Sequence, residues 1–425
     1  MSNEYDVAII GGGLVGASLA CALDETGVRV AVIEAVSRRA ESQPSYDDRV
    51  LAIAPGSRRI LETAGIWREI APGAVVPIRT IHVSDRGRFG FTRLNHRRHG
   101  TDAMGYAVPA RELGAAMDRR LRQLAGVTMI CPAEVTGLNP LPDRITLDLC
   151  QGAGEVHAAD RERRENRTEA EAKLVVFADG ADSSMRGSLD FETTRRDYGQ
   201  CVILTTVTPH LPHRNIAYER FTDTGPMALL PSSNNRYTVV WTTKSDQVEE
   251  LLQCPDDEFL YRLQRRFGDR AGELRKLGMR KTYPLSFVGV KNPVRPRIVI
   301  AGNAAHTIHP VAGQGFNLGL RDVATLAEVL SDAALEGRDI GGMDVLNTYW
   351  NWRRQDTRRM SGFTDGLIRL FSNNSLPLAM VRDSALLAVD LVPPIQDLLV
   401  KRTMGLAGRL PRLTRGLPLR NADAN

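Results

Sequence analysis

Tyr5-Asp6-Val7-Ala8-Ile9-Ile10-Gly11-Gly12-Gly13-Leu14-Val15-Gly16 is the stretch that decides the fold. Its first six residues form a buried-strand pattern, and from Leu14 to about Thr26 apolar residues recur at helical spacing. Gly11, Gly13 and Gly16 make G-x-G-x-x-G: a tight turn, a close backbone approach to a pyrophosphate, and a close seat for the helix on the strand. Gly27 stops the helix, and residues 29–34 form a second strand that ends on Glu34, 18 residues after Gly16. A carboxylate there accepts from a ribose 2′-OH and repels a 2′-phosphate, so the site suits FAD or NAD rather than NADP. The glycines alone are a weak signal; strand, helix, strand and acid together specify a dinucleotide-binding βαβ unit.

Far along the chain a second loop carries the chemistry. Arg297-Ile298-Val299-Ile300-Ala301 is a short β-branched strand pattern, and Leu318 to Leu330 is helical in its spacing. Between them runs Gly302-Asn303-Ala304-Ala305-His306-Thr307-Ile308-His309-Pro310-Val311-Ala312-Gly313-Gln314-Gly315-Phe316-Asn317. Such a loop brings backbone N–H groups close to a ligand, and the helix behind it points its positive end the same way. A flavin edge that becomes anionic on reduction fits that arrangement; an ordinary strand–loop–helix crossover is the alternative. His306 and His309 stand three apart, but no carboxylate or cysteine stands at ligand spacing, so no metal site is expected.

This second loop resembles the second FAD motif of single-component flavin aromatic hydroxylases, G-D-A-A-H-x-x-x-P-x-x-G-x-G-x-N. More narrowly it is similar to the ubiquinone-biosynthesis hydroxylases, most like those acting on 2-polyprenyl-6-methoxyphenols. Asn303 in place of Asp, residues 312–319 with Arg321-Asp322, the run His82 to Gly87, and Gly225-Pro226-Met227-Ala228-Leu229-Leu230-Pro231 with Val240-Trp241 carry the narrow likeness. It covers most of residues 5–405. The resemblance implies FAD as resident cofactor, with Gly302, Asn303, Pro310, Gly313, Gln314, Gly315, Phe316 and Asn317 at its isoalloxazine side. Arg49 would reach its pyrophosphate and ribityl, and Arg111 would also touch it; a surface salt bridge is the other reading of Arg49. Asp179 and Gly180 resemble the family's D-G motif beside the pyrophosphate and the groove for NAD(P)H, while a type I turn is the alternative.

The implied fold class is α/β. It has a Rossmann-type FAD-binding domain, an antiparallel β-sheet substrate domain of the aromatic-hydroxylase kind, and C-terminal helices. Residues 1–75, 101–189 and 295–360 are assigned to a discontinuous cofactor domain. Residues 76–100 and 190–294 form the substrate domain, 361–405 a helical segment and 406–425 a basic tail. Within them, residues 127–159 alternate as a hairpin, and the charged run 160–173, with no apolar face, reads as a solvated loop or local disorder without function. Tyr218, Phe221, Met227, Leu229 and Trp241 are expected either to line an apolar substrate cavity or to be plain core.

Composition sets wide bounds. A chain of 425 residues, 43% hydrophobic and 25% charged, is an ordinary globular protein with room for two or three domains. Five scattered cysteines without CxxC spacing point to a reducing compartment, and the first strand starts near Tyr5, which leaves no room for a leader. The net charge of +5 is carried by residues 401–425, whose six basic residues face a single acid, Asp423. No basic face of groove size accompanies it, so nucleic acid is not an expected partner.

The resemblance implies an FAD-dependent monooxygenase: hydride from NAD(P)H, oxygen added at flavin C4a as a hydroperoxide, then hydroxylation of a 2-polyprenyl-6-methoxyphenol to the benzoquinol. Only one dinucleotide fingerprint is present, so NAD(P)H visits without a Rossmann domain of its own. No side chain stands out as an acid–base catalyst. Alternatives are hydroxylation at another ring position, another flavoenzyme on this scaffold, or a non-catalytic flavin-binding subunit of a quinone-biosynthesis complex. The expected location is the cytoplasm, at the inner face of the membrane. There the tail's basic residues, interleaved with Leu406, Leu410, Leu413, Leu417 and Leu419, dock on lipid; a disordered solubilising tail is the other reading.

Overall fold

The structure, a computed structural model, describes residues 4–37, 49–152, 167–371 and 376–420. At its centre is an eight-stranded sheet in which Ile298–Ile300, Arg167–Phe177, Glu4–Ile10, Val30–Ile33 and Val127–Ile130 lie side by side and parallel. Val7, Ala8, Ile9 and Val30 to Ile33 are covered on both faces, which is why these strands are unbroken apolar runs rather than alternating ones. Helix Leu14–Ala22 follows the first strand, shorter at its C-terminal end than its periodicity predicts.

The hairpin expected within 127–159 is Ala133–Pro140 against Ile145–Gln151. The charged run 160–173 departs from expectation: from Arg167 on it is strand, paired antiparallel with Ile145–Gln151. Ala170 and Ala172 are buried, while Glu169 and Lys173 turn outward, so alternation replaces an apolar run. Residues 160–166 lie outside the described residues, as does Asp48.

A nine-stranded sheet forms the second layer, ordered from His306–Thr307 through Lys281–Val290, Thr193–Pro209, Arg236–Lys244, Gly225–Ser232, Ile216–Thr222 and Thr80–Asp85 to Phe91–Asn95. It is antiparallel except that Ile216–Thr222 runs parallel to Thr80–Asp85. A three-stranded sheet, Val50–Ile53, Gly105–Pro109 and Val76–Ile78, lies between the two. Ile53, Tyr106 and Val108 pack into the core of the cofactor half, and Ile78 and Ala107 pack against Ala217 of the large sheet. Residues 76–78 therefore belong to this middle layer, whereas His306–Thr307 joins the edge of the large sheet.

Long helices close the molecule: Gln314–Leu335, Met343–Phe371, Leu376–Leu391 and Pro393–Thr403. The helix Leu376–Leu391 covers the edge strand Phe91–Asn95, which would otherwise present unpaired backbone groups. Asp390 accepts from the Arg93 amide at 2.8 Å, and Asp383 accepts from that of Gly90 at 3.3 Å. Arg382 makes a buried ion pair with Asp85 at 2.8 Å.

The tail is a correction. Leu413 and Leu419 are 2% and 5% exposed and sit in the main core, and Leu406 packs on the inner sheets. Arg412 is bound by Glu328 and Asp332 of helix Gln314–Leu335. Of the five leucines expected to enter lipid only Leu417 is exposed, because the interleaved leucines find an apolar partner in the chain itself.

Candidate active site

Three parallel strands end at one crevice, the usual place for a ligand in an open α/β sheet. Glu4–Ile10 runs into Gly11, Val30–Ile33 into Glu34 and Arg167–Phe177 into Asp179. Gly11 has φ +100°, and a Cβ on it would lie 2.6 Å from the Ala178 carbonyl oxygen. A Cβ on Gly16 would lie 1.9 Å from the carbonyl oxygen of Gly11, so the third glycine lets the helix sit on the turn. Glu34 is held rigidly: its carboxylate accepts from the amide of Gly12 at 2.7 Å and of Val36 at 2.8 Å. Its remaining lone pairs are those a ribose hydroxyl would meet.

Asp179 and Gly180 lie across the crevice. Burial raises the Asp179 carboxyl above its ordinary value, partly offset by a hydrogen bond with Ser183, and the nearby Glu34 charge raises it further. Gly180 has φ +93° and open space where a side chain would be. Arg186 ties this loop to the second one, donating to the carbonyls of Ala304 at 2.7 Å and Ala181 at 2.8 Å. Its sequence offers no hint of that role beyond its place after the D-G pair.

The second loop packs directly on the first helix. Gly302 has φ +62°, and a Cβ there would come within 2.9 Å of the Val15 methyls; Gly319 lies as close on the same valine. Ala312 and Gly313 both take left-handed backbone, φ +56° and +61°, turning the chain into helix Gln314–Leu335. Strain at Ala312, which has a Cβ, is the kind that accumulates at working sites. The helices starting at Leu14 and Gln314 are capped by Gly13 and Gly313, with no side-chain acceptor on either N-terminus. Their first amides are thus left for a ligand. Gly315 meets no protein atom within 4 Å of a built Cβ, and Asn303, in the loop before that helix, is exposed. The chemistry of this donor set fits FAD.

Not every expected side chain is free to bind. Asn317 is used up internally: Oδ1 accepts from Ala54 at 2.8 Å, and Nδ2 donates to Ala52 at 2.8 Å and Gly313 at 2.7 Å. What it offers a ligand is the backbone it fixes. Gln314 is buried and donates to the Ala312 carbonyl at 3.1 Å. Phe316 is half-buried against the main core, and Pro310 leads into the left-handed turn. Arg49 lies with its guanidinium 5.5 Å from the Tyr283 ring centroid, bridging to the large sheet. Its carbonyl accepts from Ala110 at 2.7 Å, which brings the exposed Arg111 next to it.

The two histidines go separate ways. His306 meets Asp322 at 2.5 Å, and Asp322 also accepts from the Gly302 amide at 3.1 Å and Arg353 Nε at 2.8 Å. Burial alone would raise the Asp322 carboxyl, but His306 and Arg353 hold it well below the usual carboxylate range. His309 is buried, with its ring 5.3 Å from Tyr198, and burial pushes its imidazole down to about 4, which keeps it neutral.

The five residues expected to line a substrate cavity or to be plain core divide between the two faces of the large sheet. Tyr218, Met227, Leu229 and Trp241 share the outer face of the large sheet, in a core with Phe259, Leu263 and Phe267 of helix Asp256–Phe267. Tyr218 stacks edge-on to Phe267 at 5.4 Å and donates to the Arg270 carbonyl at 3.0 Å. Phe221 alone lies on the inner face, packed with Val311 and Leu386. Pleating puts its neighbours there: Ala217 and Glu219 on the same strand, then Ala228 and Val240 across the ladder. Ala228, Leu230, Val240 and Leu204 on this side are half-buried. Glu219 is the residue the sequence reading passed over; the signal was an acid in the otherwise apolar inner set of strand Ile216–Thr222.

A family model described as FAD binding domain matches residues 4–364. The chain is 40% identical to ubiquinone hydroxylase UbiL of Rhodospirillum rubrum over 97% of its own length and 93% of that protein. It is 29% identical to the mitochondrial ubiquinone biosynthesis monooxygenase COQ6 of Danio rerio, covering 93% of this chain and 89% of that one. Among solved structures it is similar to p-nitrophenol 4-monooxygenase PnpA of Pseudomonas putida, with a TM-score of 0.76, 19% identity, and coverage of 96% and 100%.

Proposed function

Because the chain belongs to the FAD-binding-domain family, and within it to the flavin hydroxylases of ubiquinone biosynthesis, we propose that it hydroxylates a polyprenylated methoxyphenol to the benzoquinol. It is an FAD-dependent monooxygenase that takes electrons from NAD(P)H and oxygen from O2. Bound FAD supplies the redox chemistry, from acceptance of a hydride to delivery of one oxygen atom at its C4a edge. The observation that carries the reading is the pair of glycine-capped helix starts, Gly13 and Gly313, neither of which has a side-chain cap.

The chain's own residues divide the work. Gly11, Gly13 and Gly16 admit the pyrophosphate, and Glu34 accepts from the ribose. The amides at the start of helix Gln314–Leu335 stabilise negative charge that grows on the pyrimidine edge of the ring. Phe221, Val311 and Leu386 keep water from the ring's reactive face. Purified protein is expected to be yellow, with about one non-covalent FAD per chain, and NAD(P)H should bleach it anaerobically, faster with a phenol bound. Flavin that binds but is reduced by neither nicotinamide would instead indicate a scaffold role. The lipid that accumulates when the protein is removed identifies the ring position.

A polyprenyl tail also requires a route to lipid. Helix Leu376–Leu391 has Leu386 on Phe221 and Val311, while Met380 and Leu391 on its outer side are 69% and 73% exposed. Val392, Ile395 and Leu398 continue that apolar surface, and Lys401 and Arg402 stand exposed at its end. No helix among the described residues is long and apolar enough to cross a membrane. The hairpin, rather than the tail, is thus the proposed contact with an anionic bilayer, by shallow apolar insertion. Leu391→Asp with Ile395→Asp should weaken binding to anionic liposomes about tenfold or more, while turnover of a short-tailed soluble phenol stays near normal. Unchanged liposome binding would remove the hairpin from this role.

A further inference from the structure

Glu219 lies on strand Ile216–Thr222 between Ala217 and Phe221 on the inner face of the large sheet. Ala217 packs against Ile78 and Ala107 of the middle sheet, and Phe221 against Val311 of the cofactor loop. The carboxyl between them therefore faces the space that separates the sheet from that loop. Its hydrogen-bonding neighbour is the backbone amide of Ala312, the left-handed residue immediately before Gly313. A ring held between the sheet and the start of helix Gln314–Leu335 has this carboxyl at its edge.

We propose that Glu219 is a catalytic residue that accepts the phenolic proton of the substrate, an inference resting on the hydroxylase reading above. The phenol O–H bond breaks, its proton passes to a carboxylate oxygen of Glu219, and the electron pair left on oxygen enriches the ring carbon that is to be hydroxylated. A C–O bond forms there to the oxygen atom supplied from O2; the hydrogen on that carbon leaves as a proton and the ring rearomatises. Glu219 returns its proton to the quinol oxygen. NAD(P)H is oxidised, and the second atom of O2 leaves as water.

The surroundings suit the task. Burial pushes the Glu219 carboxyl up to about 8, with the Ala312 amide drawing it back only in part. By area the residue is half-buried on the inner face of the sheet, and burial opposes its charged form. A base poised near the working pH is the efficient one. Charges on the packed elements are committed elsewhere. Asp85, on the neighbouring strand, is paired to Arg382, Asp383 accepts from the Gly90 amide, and Asp390 from that of Arg93. His309 is neutral, and strand Gly225–Ser232 presents only the uncharged Pro226, Ala228, Leu230 and Ser232 on this face. A carboxyl raised in the folded state stabilises only below its unfolded value and loses that contribution as pH rises through about 8. The fold is therefore better off at neutral pH without this acid, which sets Glu219 apart from a structural residue.

The test is Glu219→Gln in the FAD-loaded protein, with 2-methoxy-4-nitrophenol as a chromophoric probe and a short-tailed 2-methoxyphenol as substrate. The wild type should bind the probe as phenolate, and its kcat/KM should rise with pH through a limb near 8. The variant should retain FAD, have an equal or higher Tm at pH 8, bind the probe as neutral phenol, and lose that limb with roughly a 10²- to 10⁴-fold fall in hydroxylation. If the variant hydroxylates with an unchanged pH profile and still ionises the probe, the assignment of Glu219 is overturned. A wild type that never hydroxylates the phenol overturns the hydroxylase reading instead.

Discussion

Asp322→Ala should destabilise the protein by about 3–5 kcal/mol and lower its Tm by roughly 3–6 °C. Asp322 is 2% exposed and is the one acceptor shared by His306, the Gly302 amide and Arg353. Removing it leaves Arg353, itself 3% exposed, with Asp356 as its one anionic partner among the described residues, and Asp356 also serves Arg321 at 3.0 Å. An uncompensated buried guanidinium costs more than the original pair contributes, which is why a single truncation is expected to be severe. The pH dependence has a definite sign. The folded carboxyl is held below its unfolded value, so its stabilisation is present above pH of about 4 and is lost as the pH falls further. Thermal unfolding followed from pH 7 to pH 3 should therefore show an acid loss in the wild type that is flatter in the variant. FAD content should fall as well, because Gly302 loses the acceptor that fixes its turn. A Tm within 1–2 °C of wild type, about what a surface substitution gives, would mean that this network does not hold the loop.

Gly315→Val should do the reverse, leaving the apo fold intact while weakening FAD by about 10- to 100-fold. A Cβ at Gly315 meets no protein atom, so the helix can carry valine there without repacking. If the flavin edge occupies that space, two added methyl groups overlap it at a cost of about 1–3 kcal/mol. Gly16→Ala is the contrasting substitution: its Cβ would lie 1.9 Å from the Gly11 carbonyl oxygen, so the apo protein itself should be damaged. Apo Tm and FAD titration by fluorescence quenching separate the two. Full FAD affinity in Gly315→Val with an unchanged fold would place the isoalloxazine edge elsewhere.

Much of the backbone that frames the candidate cofactor site was legible because its signals are local. Whether Gly11, Gly13 and Gly16 can turn a strand into a helix depends on the absence of Cβ atoms within a dozen residues. The distance to Glu34 follows from the length of one helix and one strand. The loop 302–317 was legible for the same reason, since glycine, proline and a following helix act on their own backbone. Nothing local says that Asn317 is consumed by Ala52 and Ala54, some 265 residues earlier in the chain. Nor does it say that Arg353 closes on Asp322.

The large sheet marks the limit most clearly. Alternation along Ile216–Thr222 divides the strand into two faces, but both are covered and both are largely apolar, so period alone leaves open which one meets the substrate. Helix Asp256–Phe267 claimed the face with Tyr218, Leu229 and Trp241, and the middle sheet and cofactor loop took the one with Phe221 and Glu219. The last stretch of chain repeats the point, since leucines spaced among basic residues suit a lipid surface as well as a protein groove. Leu413 and Leu419 are core because distant residues supply an apolar surface for them, and the ion pairs of Arg412 with Glu328 and Asp332 fix the chain's position on it. Backbone chemistry and spacing settle where a dinucleotide can bind; which of two buried faces, and which of two apolar partners, is a contest of packing that only the assembled molecule decides.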